Sequence, residues 1–134
     1  MRRTWARIAL SGILLFSGCE GGISDATMAN GKKIYQARCQ SCHMENGGGV
    51  PRMNAPLVGS KYVVGEKEKL IDIVLHGSAA FANDPGRRYD NTMPGQGELT
   101  DKEIAEVLTY IRNNFNNKAS AIETEDVKIV REKR

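Results

Sequence analysis

The clearest pattern along the chain begins at Leu99. Ile104, Val107, Leu108, Ile111 and Phe115 recur at spacings of three and four, with Tyr110 beside them, so they mark one apolar face of a helix. Thr100 and Glu103 supply a capping box, and Leu99 and Ile104 can close over it as a hydrophobic staple. The run Asn113-Asn114, then Asn116-Asn117, ends the helix. A second helix reads from Glu66 to His76, where Leu70, Ile73, Val74 and Gly77 share a face and Glu66 to Lys69 form a solvated first turn. A third, between Ala26 and Arg38, carries Gly31 and Tyr35 on one side, four residues apart. Gly31 there permits close approach of another helix, with Tyr35 packing beside it. Thr124 is expected to cap a short last helix through Val130. No stretch alternates as a strand does and no repeat is present, so the expected class is all-α.

At 134 residues the chain holds one domain at most, plus whatever is removed or flexible. The formal net charge of +3 has a telling location. Arg2, Arg3 and Arg7 all lie in residues 1–18, which contain no acid, and residues 19–134 balance. A nucleic-acid binder keeps its basic excess in the folded domain, so no nucleic-acid partner is expected. Ile8 to Phe16 form an apolar run that closes on Ser17-Gly18-Cys19. A positive start, a short apolar stretch and small residues describe an export signal over residues 1–18. A bilayer span needs roughly 20 residues, although an uncleaved anchor remains the alternative. Cysteine directly after Ser-Gly resembles a bacterial lipoprotein signal, which implies a diacylated Cys19 as the new N-terminus and a membrane-anchored protein on the periplasmic side. The alternatives are a simple signal leaving Cys19 free, and twin-arginine export through Arg2-Arg3. Residues 19–26 then read as a small, polar linker clear of the anchor.

Aromatic residues are only 6% of the chain, and the sole tryptophan, Trp5, lies in the signal segment. Such a core leaves room for something other than protein. With Cys19 set aside, Cys39 and Cys42 remain, spaced C-x-x-C and followed at once by His43. C-x-x-C-H is the attachment signature of haem c. Two thiols a fixed distance apart add across the two haem vinyl groups, and the adjacent histidine swings under the iron as the proximal ligand. Behind an export signal the match gains weight, because this haem is attached outside the bacterial cytoplasm. A disulfide oxidoreductase would set the C-x-x-C in a βαβ pattern. A structural zinc needs four ligands, and only the distant His76 could join Cys39, Cys42 and His43. A plain disulfide is the remaining alternative.

For the second axial position the candidates are Met28, Met44, Met53, Met93 and His76. Met44 follows His43 directly and cannot reach around the ring. Met28 lies in the first helix, and Met53 reads as a packing residue near Gly47-Gly48-Gly49. His76 reads as a helix-end or surface residue. Met93 lies fifty residues beyond His43 in an irregular segment, where Pro94 disfavours helix and Gly95 and Gly97 let backbone pass close to the ring.

Residues 27–117 resemble the bacterial class I monohaem cytochromes c. The resemblance rests on the segments 31–43, 54–60, 93–95 and 99–112, which contain the C-x-x-C-H, Asn-Ala-Pro-Leu, Met-Pro-Gly and capped-helix motifs. It implies three or four helices around one covalently attached haem, with the first and last helices crossing at Gly31, Tyr35 and Tyr110. It also implies that a proline carbonyl, here matched by Pro56, orients the proximal histidine. The stretch from Met93 to Phe115 looks especially like cytochrome domains that accompany periplasmic dehydrogenases, nitrite reductases or oxidases. With no tryptophan after the signal, Tyr62, Arg87, Arg88, Tyr89 and Asn91 are the candidates for the haem propionates. Residues 118–134 lie beyond the core family and are read as finishing the domain, with partner docking as the alternative.

The expected function is single-electron transfer between redox proteins, without catalysis and without a small-molecule substrate, because His43 and Met93 saturate the iron. A dedicated subunit of a periplasmic dehydrogenase, nitrite reductase or oxidase complex is the alternative. A haem enzyme or gas sensor with an open sixth site is a third.

Overall fold

The computed structural model describes residues 22–81 and 89–133; the signal segment, Cys19, Arg87 and Arg88 lie outside the described residues. Among the described residues four helices carry the fold: α1 Asp25–Arg38, α4 Lys67–His76, α5 Asp101–Arg112 and α6 Thr124–Glu132. Two single turns, α2 Gln40–His43 and α3 Lys61–Val64, and a 3-10 turn at Ala79–Phe81 fill the connections. Among the described residues there are no strands, only isolated bridges pairing Val50 with Asn54 and Gly77 with Pro94. No helix among them is long and apolar enough to cross a membrane.

The all-α expectation holds. α1 starts where the Ser24 hydroxyl accepts the Thr27 N–H at 3.1 Å. It therefore includes residues 25–26, which the sequence pattern assigns to the linker. α5 starts on the expected capping box: Glu103 N–H donates to Thr100 Oγ1 at 3.2 Å and Thr100 N–H to Glu103 Oε2 at 2.8 Å. α1 lies against α5 over the most extensive helix contact in the fold. Their crossing is at Gly31, where an added Cβ would lie 2.3 Å from the Glu106 carbonyl oxygen and 2.6 Å from Tyr110 Cβ. Tyr35, Tyr110 and Phe115 then pack as a trio with ring centroids 5.1 to 5.9 Å apart.

Three expectations are corrected. α5 ends at Arg112, so Phe115 reaches the trio from the turn that follows, with φ of 54°. α5 is also buried on more than the expected stripe: Ala105, Thr109, Tyr110 and Arg112 join Ile104, Val107, Leu108 and Ile111. Tyr110 lies against α1, while α6 and the segment leading into it cover a further side at Thr109 and Arg112. Thr124 is the first residue inside α6; the cap is Glu123, whose N–H donates to the Asp126 carboxylate at 2.9 Å. α6 buries Val127 and Val130 against α4 and α5. Burial pulls the Arg112 guanidinium down, offset by Asp126; it donates to the carbonyls of Val63, Gly65 and Ser120 and to the Ser120 hydroxyl, joining α3 to the α5–α6 connection.

Candidate functional site

Helix α1 runs directly into the C-x-x-C-H. Cys39 caps the end of α1, its N–H donating to the Tyr35 carbonyl at 2.9 Å, and opens α2, the single turn that carries Gln40 to His43. This turn spaces Cys39 and Cys42 on one side and leaves His43 as its last residue. Met44 breaks the turn with a φ of 64°, and its carbonyl accepts the Tyr35 hydroxyl at 2.6 Å. The tyrosine of the α1–α5 crossing thereby fixes the chain just after His43.

His43 Nδ1 lies 2.9 Å from the Ala55 carbonyl oxygen. A carbonyl only accepts, so Nδ1 carries the proton and Nε2 keeps its lone pair for a metal. Burial holds the imidazole below its ordinary pKa, partly offset by the Ala55 hydrogen bond, so the ring is neutral near pH 7. The carbonyl expected from Pro56 is thus supplied one residue earlier. Asn54 Nδ2 donates to the Cys42 carbonyl at 3.1 Å and Val50 N–H to the Asn54 carbonyl at 3.1 Å, pinning the segment so that Ala55 faces the ring. Pro56 contributes by favouring extended backbone at Ala55.

Cys39, Cys42, His43 and Met93 line one cavity of about 610 Å³, a size typical of cofactor sites. Its walls are largely apolar: Val63 and Leu70 from the α3–α4 side, and Leu99, Val107, Leu108 and Ile111 from the α5 side. Cys39 and Cys42 are not joined in a disulfide. Burial, reinforced by Cys42 and only partly offset by Arg38, pushes the Cys39 thiol up to about 11. A redox-active C-x-x-C needs the opposite, a lowered thiol pKa, and sits in a βαβ unit, whereas this one lies between helices α1 and α3. Among the described residues no group of three or more His, Cys, Asp or Glu side chains converges to hold a metal ion.

Met93 is half-buried, and its N–H donates to Ser78 Oγ at 2.9 Å while its carbonyl accepts the Ser78 N–H at 3.0 Å. The other candidates lie elsewhere. Met28 packs against the hydrophobic core, and His76 is exposed on α4, paired with Asp72 at 2.9 Å. Met53, expected to pack, is 49% exposed; its carbonyl instead accepts the Asn91 N–H at 3.0 Å. At Gly95 an added Cβ would lie 2.6 Å from the Leu75 carbonyl oxygen, so glycine there permits close approach to the end of α4. Of the candidates for an acidic edge of the cofactor, Tyr62, Tyr89 and Asn91 line the cavity, and Lys61 joins them.

Sequence reading misses Ala55, Asn54 and Ser78. The residue before a proline is a signal for Ala55, whereas nothing local points to Ser78, whose hydroxyl matters only once residues 78 and 93 meet. The donor set fits haem c: two free thiols at C-x-x-C spacing, a histidine with Nε2 available and a soft thioether, all on one apolar cavity.

Comparison with known proteins agrees with this geometry. The family model described as cytochrome c matches residues 28–115. The chain is 35% identical over 94 residues to the cytochrome c subunit of an alcohol dehydrogenase (quinone) from Gluconacetobacter polyoxogenes, covering 66% of this chain and 19% of that subunit. It is 32% identical over 100 residues to the gluconate 2-dehydrogenase cytochrome c subunit of Pantoea cypripedii, covering 70% and 22%. Cytochrome c6 of Thermostichus vulcanus is 29% identical over 112 residues, covering 83% of this chain and 91% of that protein. The chain thus spans about a fifth of the dehydrogenase subunits it matches, and nearly the whole length of the cytochrome c6. Most of its folded part falls within the matched residues, and it belongs to the cytochrome c family, whose cofactor is covalently bound haem c.

Proposed function

We propose that the chain is an exported single-haem electron carrier. In this reading Cys39 and Cys42 hold the haem as thioethers, and His43 Nε2 and Met93 Sδ ligate its iron. The observation that carries it is the convergence of these four side chains on one apolar cavity, with His43 Nδ1 already committed to Ala55. Bound haem supplies reversible one-electron chemistry. The chain supplies the surroundings. Ala55 fixes the imidazole and raises its basicity. The Met93 thioether is a soft, neutral donor that favours the ferrous state. The aliphatic walls would keep water from the group, and with His43 and Met93 both committed to its iron no substrate site would remain. Cys42 is exposed at the cavity rim, with Met53 and Val58 exposed nearby in sequence, so a redox partner can approach that edge.

Residues 1–18 are read as the signal and Cys19 as the lipidated terminus, with residues 27–117 as the cytochrome domain. A lipid there would raise the effective concentration of the domain near membrane complexes. Replacing Cys19 with Ser should release a haem protein with an unchanged spectrum from the membrane fraction; an intact mass with no acyl chains on the wild-type N-terminus rules out the anchor. A second reading, a dedicated dehydrogenase subunit, is favoured by the names of the relatives at 32 to 35% identity. Stable copurification with one dehydrogenase selects it over a free carrier.

Two measurements test the site. Haem should survive acid-acetone extraction in the wild type; free extraction overturns the attachment. The oxidised protein should show a sulfur-to-iron charge-transfer band that Met93→Ala loses, while the reduced variant binds carbon monoxide rapidly. Rapid carbon monoxide binding by the wild type selects instead the open-site enzyme or sensor.

A further inference from the structure

Between Asn91 and Leu99 the chain has no helix and one isolated bridge, at Pro94. On one side this segment is tied to the end of α4: Met93 to Ser78, and Gln96 N–H to the Val74 carbonyl at 2.7 Å. On the other side it is tied by a residue from far along the chain. Arg131, in the last turn of α6, donates from Nη1 to the Gly97 carbonyl at 2.8 Å and from Nη2 to the Leu99 carbonyl at 2.8 Å. Its Nε donates to Asp101 Oδ1 at 2.7 Å. One planar guanidinium thus spans the segment from four residues after Met93 into the first turn of α5, a use of its fixed fork that lysine cannot copy. The helix that delivers it is firmly seated, since Val127 is fully buried and Val130 nearly so. The match to the cytochrome c family ends at residue 115, so this contact comes from beyond the matched region.

We propose that Arg131 is a positioning residue for the sixth ligand: from the C-terminal extension it braces Gly97 to Asp101 and so holds Met93 at the iron. The inference rests on Met93 being that ligand. Without the guanidinium, two backbone carbonyls and a carboxylate lose their charged donor, and between Met93 and α5 the segment keeps only its ties to the α4 end and the exposed pair of Glu98 with Arg38. The sulfur should then leave the iron more readily, with the haem pocket otherwise intact.

The test uses the oxidised holoprotein with imidazole as the displacing ligand, followed at the sulfur-to-iron charge-transfer band. Arg131→Ala should be displaced about tenfold faster than wild type, the loss expected for hydrogen bonds from a charged group. Arg131→Lys, which keeps the charge but not the fork, should fall between. Lys67→Ala is the control for a purely structural effect, because it removes the 2.9 Å contact from α4 to Asp126 of α6 and leaves Gly97 to Asp101 untouched. It should lower the melting temperature and leave displacement at the wild-type rate. Wild-type displacement in Arg131→Ala, or equal acceleration in Lys67→Ala, overturns the brace. A wild type with no charge-transfer band overturns the Met93 assignment itself, and the brace with it.

Discussion

Replacing Gly31 with Ala sets two effects of opposite sign against each other. Gly31 sits in the middle of α1, and helix propensity alone predicts that alanine stabilises the helix by about 1 kcal/mol. The crossing with α5 predicts the reverse. The added Cβ would lie 2.3 Å from the Glu106 carbonyl oxygen and 2.6 Å from Tyr110 Cβ, and both are backbone or nearly so. Neither can turn aside as a flexible side-chain end would. Ordinary carbon contacts lie at about 3.5 Å or more, so the two helices must part by about 1 Å. Overpacking of this kind costs about 1–3 kcal/mol. Parting also loosens the ring contact of Tyr35 with Tyr110, worth about 0.5–1.5 kcal/mol. The net expectation is a loss of about 2 kcal/mol, or a drop in Tm on the order of 10 °C. Guanidinium denaturation of the holoprotein measures it: the midpoint should fall with the slope unchanged. A midpoint equal to or above wild type would falsify the close crossing, because propensity would then have won.

Asn117→Ala should cost about 2–4 kcal/mol by thermal denaturation. The 8% exposed side chain accepts the Gly59 N–H at 2.8 Å and donates to the Leu57 and Ile111 carbonyls, and a loss below about 0.5 kcal/mol would show these contacts to be idle. Asp126 gives a pH dependence. Burial alone would raise its carboxyl, but the Glu123 N–H and the Lys67 ammonium more than offset it and hold it below the ordinary carboxylate range. A depressed pKa stabilises the fold above the unfolded-state value of about 4, and that contribution is lost as pH falls further. Asp126→Asn should therefore be less stable than wild type at pH 7, with the gap closing toward pH 3; a gap independent of pH refutes the assignment.

Elements that depend on neighbours along the chain are legible in the amino-acid sequence. The capping box at Thr100, the apolar face of α5 and the C-x-x-C-H each declare themselves within a few residues, and α1 and α4 lie within one residue of their expected bounds. The Gly31–Tyr35 face is legible because a small residue and an aromatic on one helix side describe a crossing. What escapes depends on distant segments meeting. Proline is conspicuous, so Pro56 attracts the role of acceptor for His43, whereas the folded chain presents the Ala55 carbonyl before it. Arg131 and Ser78 look like ordinary surface residues until α6 and the Met93 segment are brought together. Phe115 continues the helical spacing, but two residues of positive φ, Phe115 itself and Asn116, carry it to the core by another route.

The distribution of burial explains why covalent attachment suits this chain. The walls contributed by α4 and α5, including Leu70, Val74, Val107 and Leu108, are nearly inaccessible. The side bearing the attachment motif is not: Cys39 is partly buried, Cys42 is exposed, and Met53 and Val58 are exposed beyond it. Enclosure therefore comes from only part of the pocket, and apolar contact alone would leave a planar group free to slip out on the open side. Two thioether bonds on that side would remove the escape route without covering the edge. Closing the pocket with bulky aromatics would hold a group equally well but would bury the edge a partner must reach. A domain with so few aromatic residues and its C-x-x-C cysteines on the open side combines retention with access, the combination that electron exchange between proteins requires.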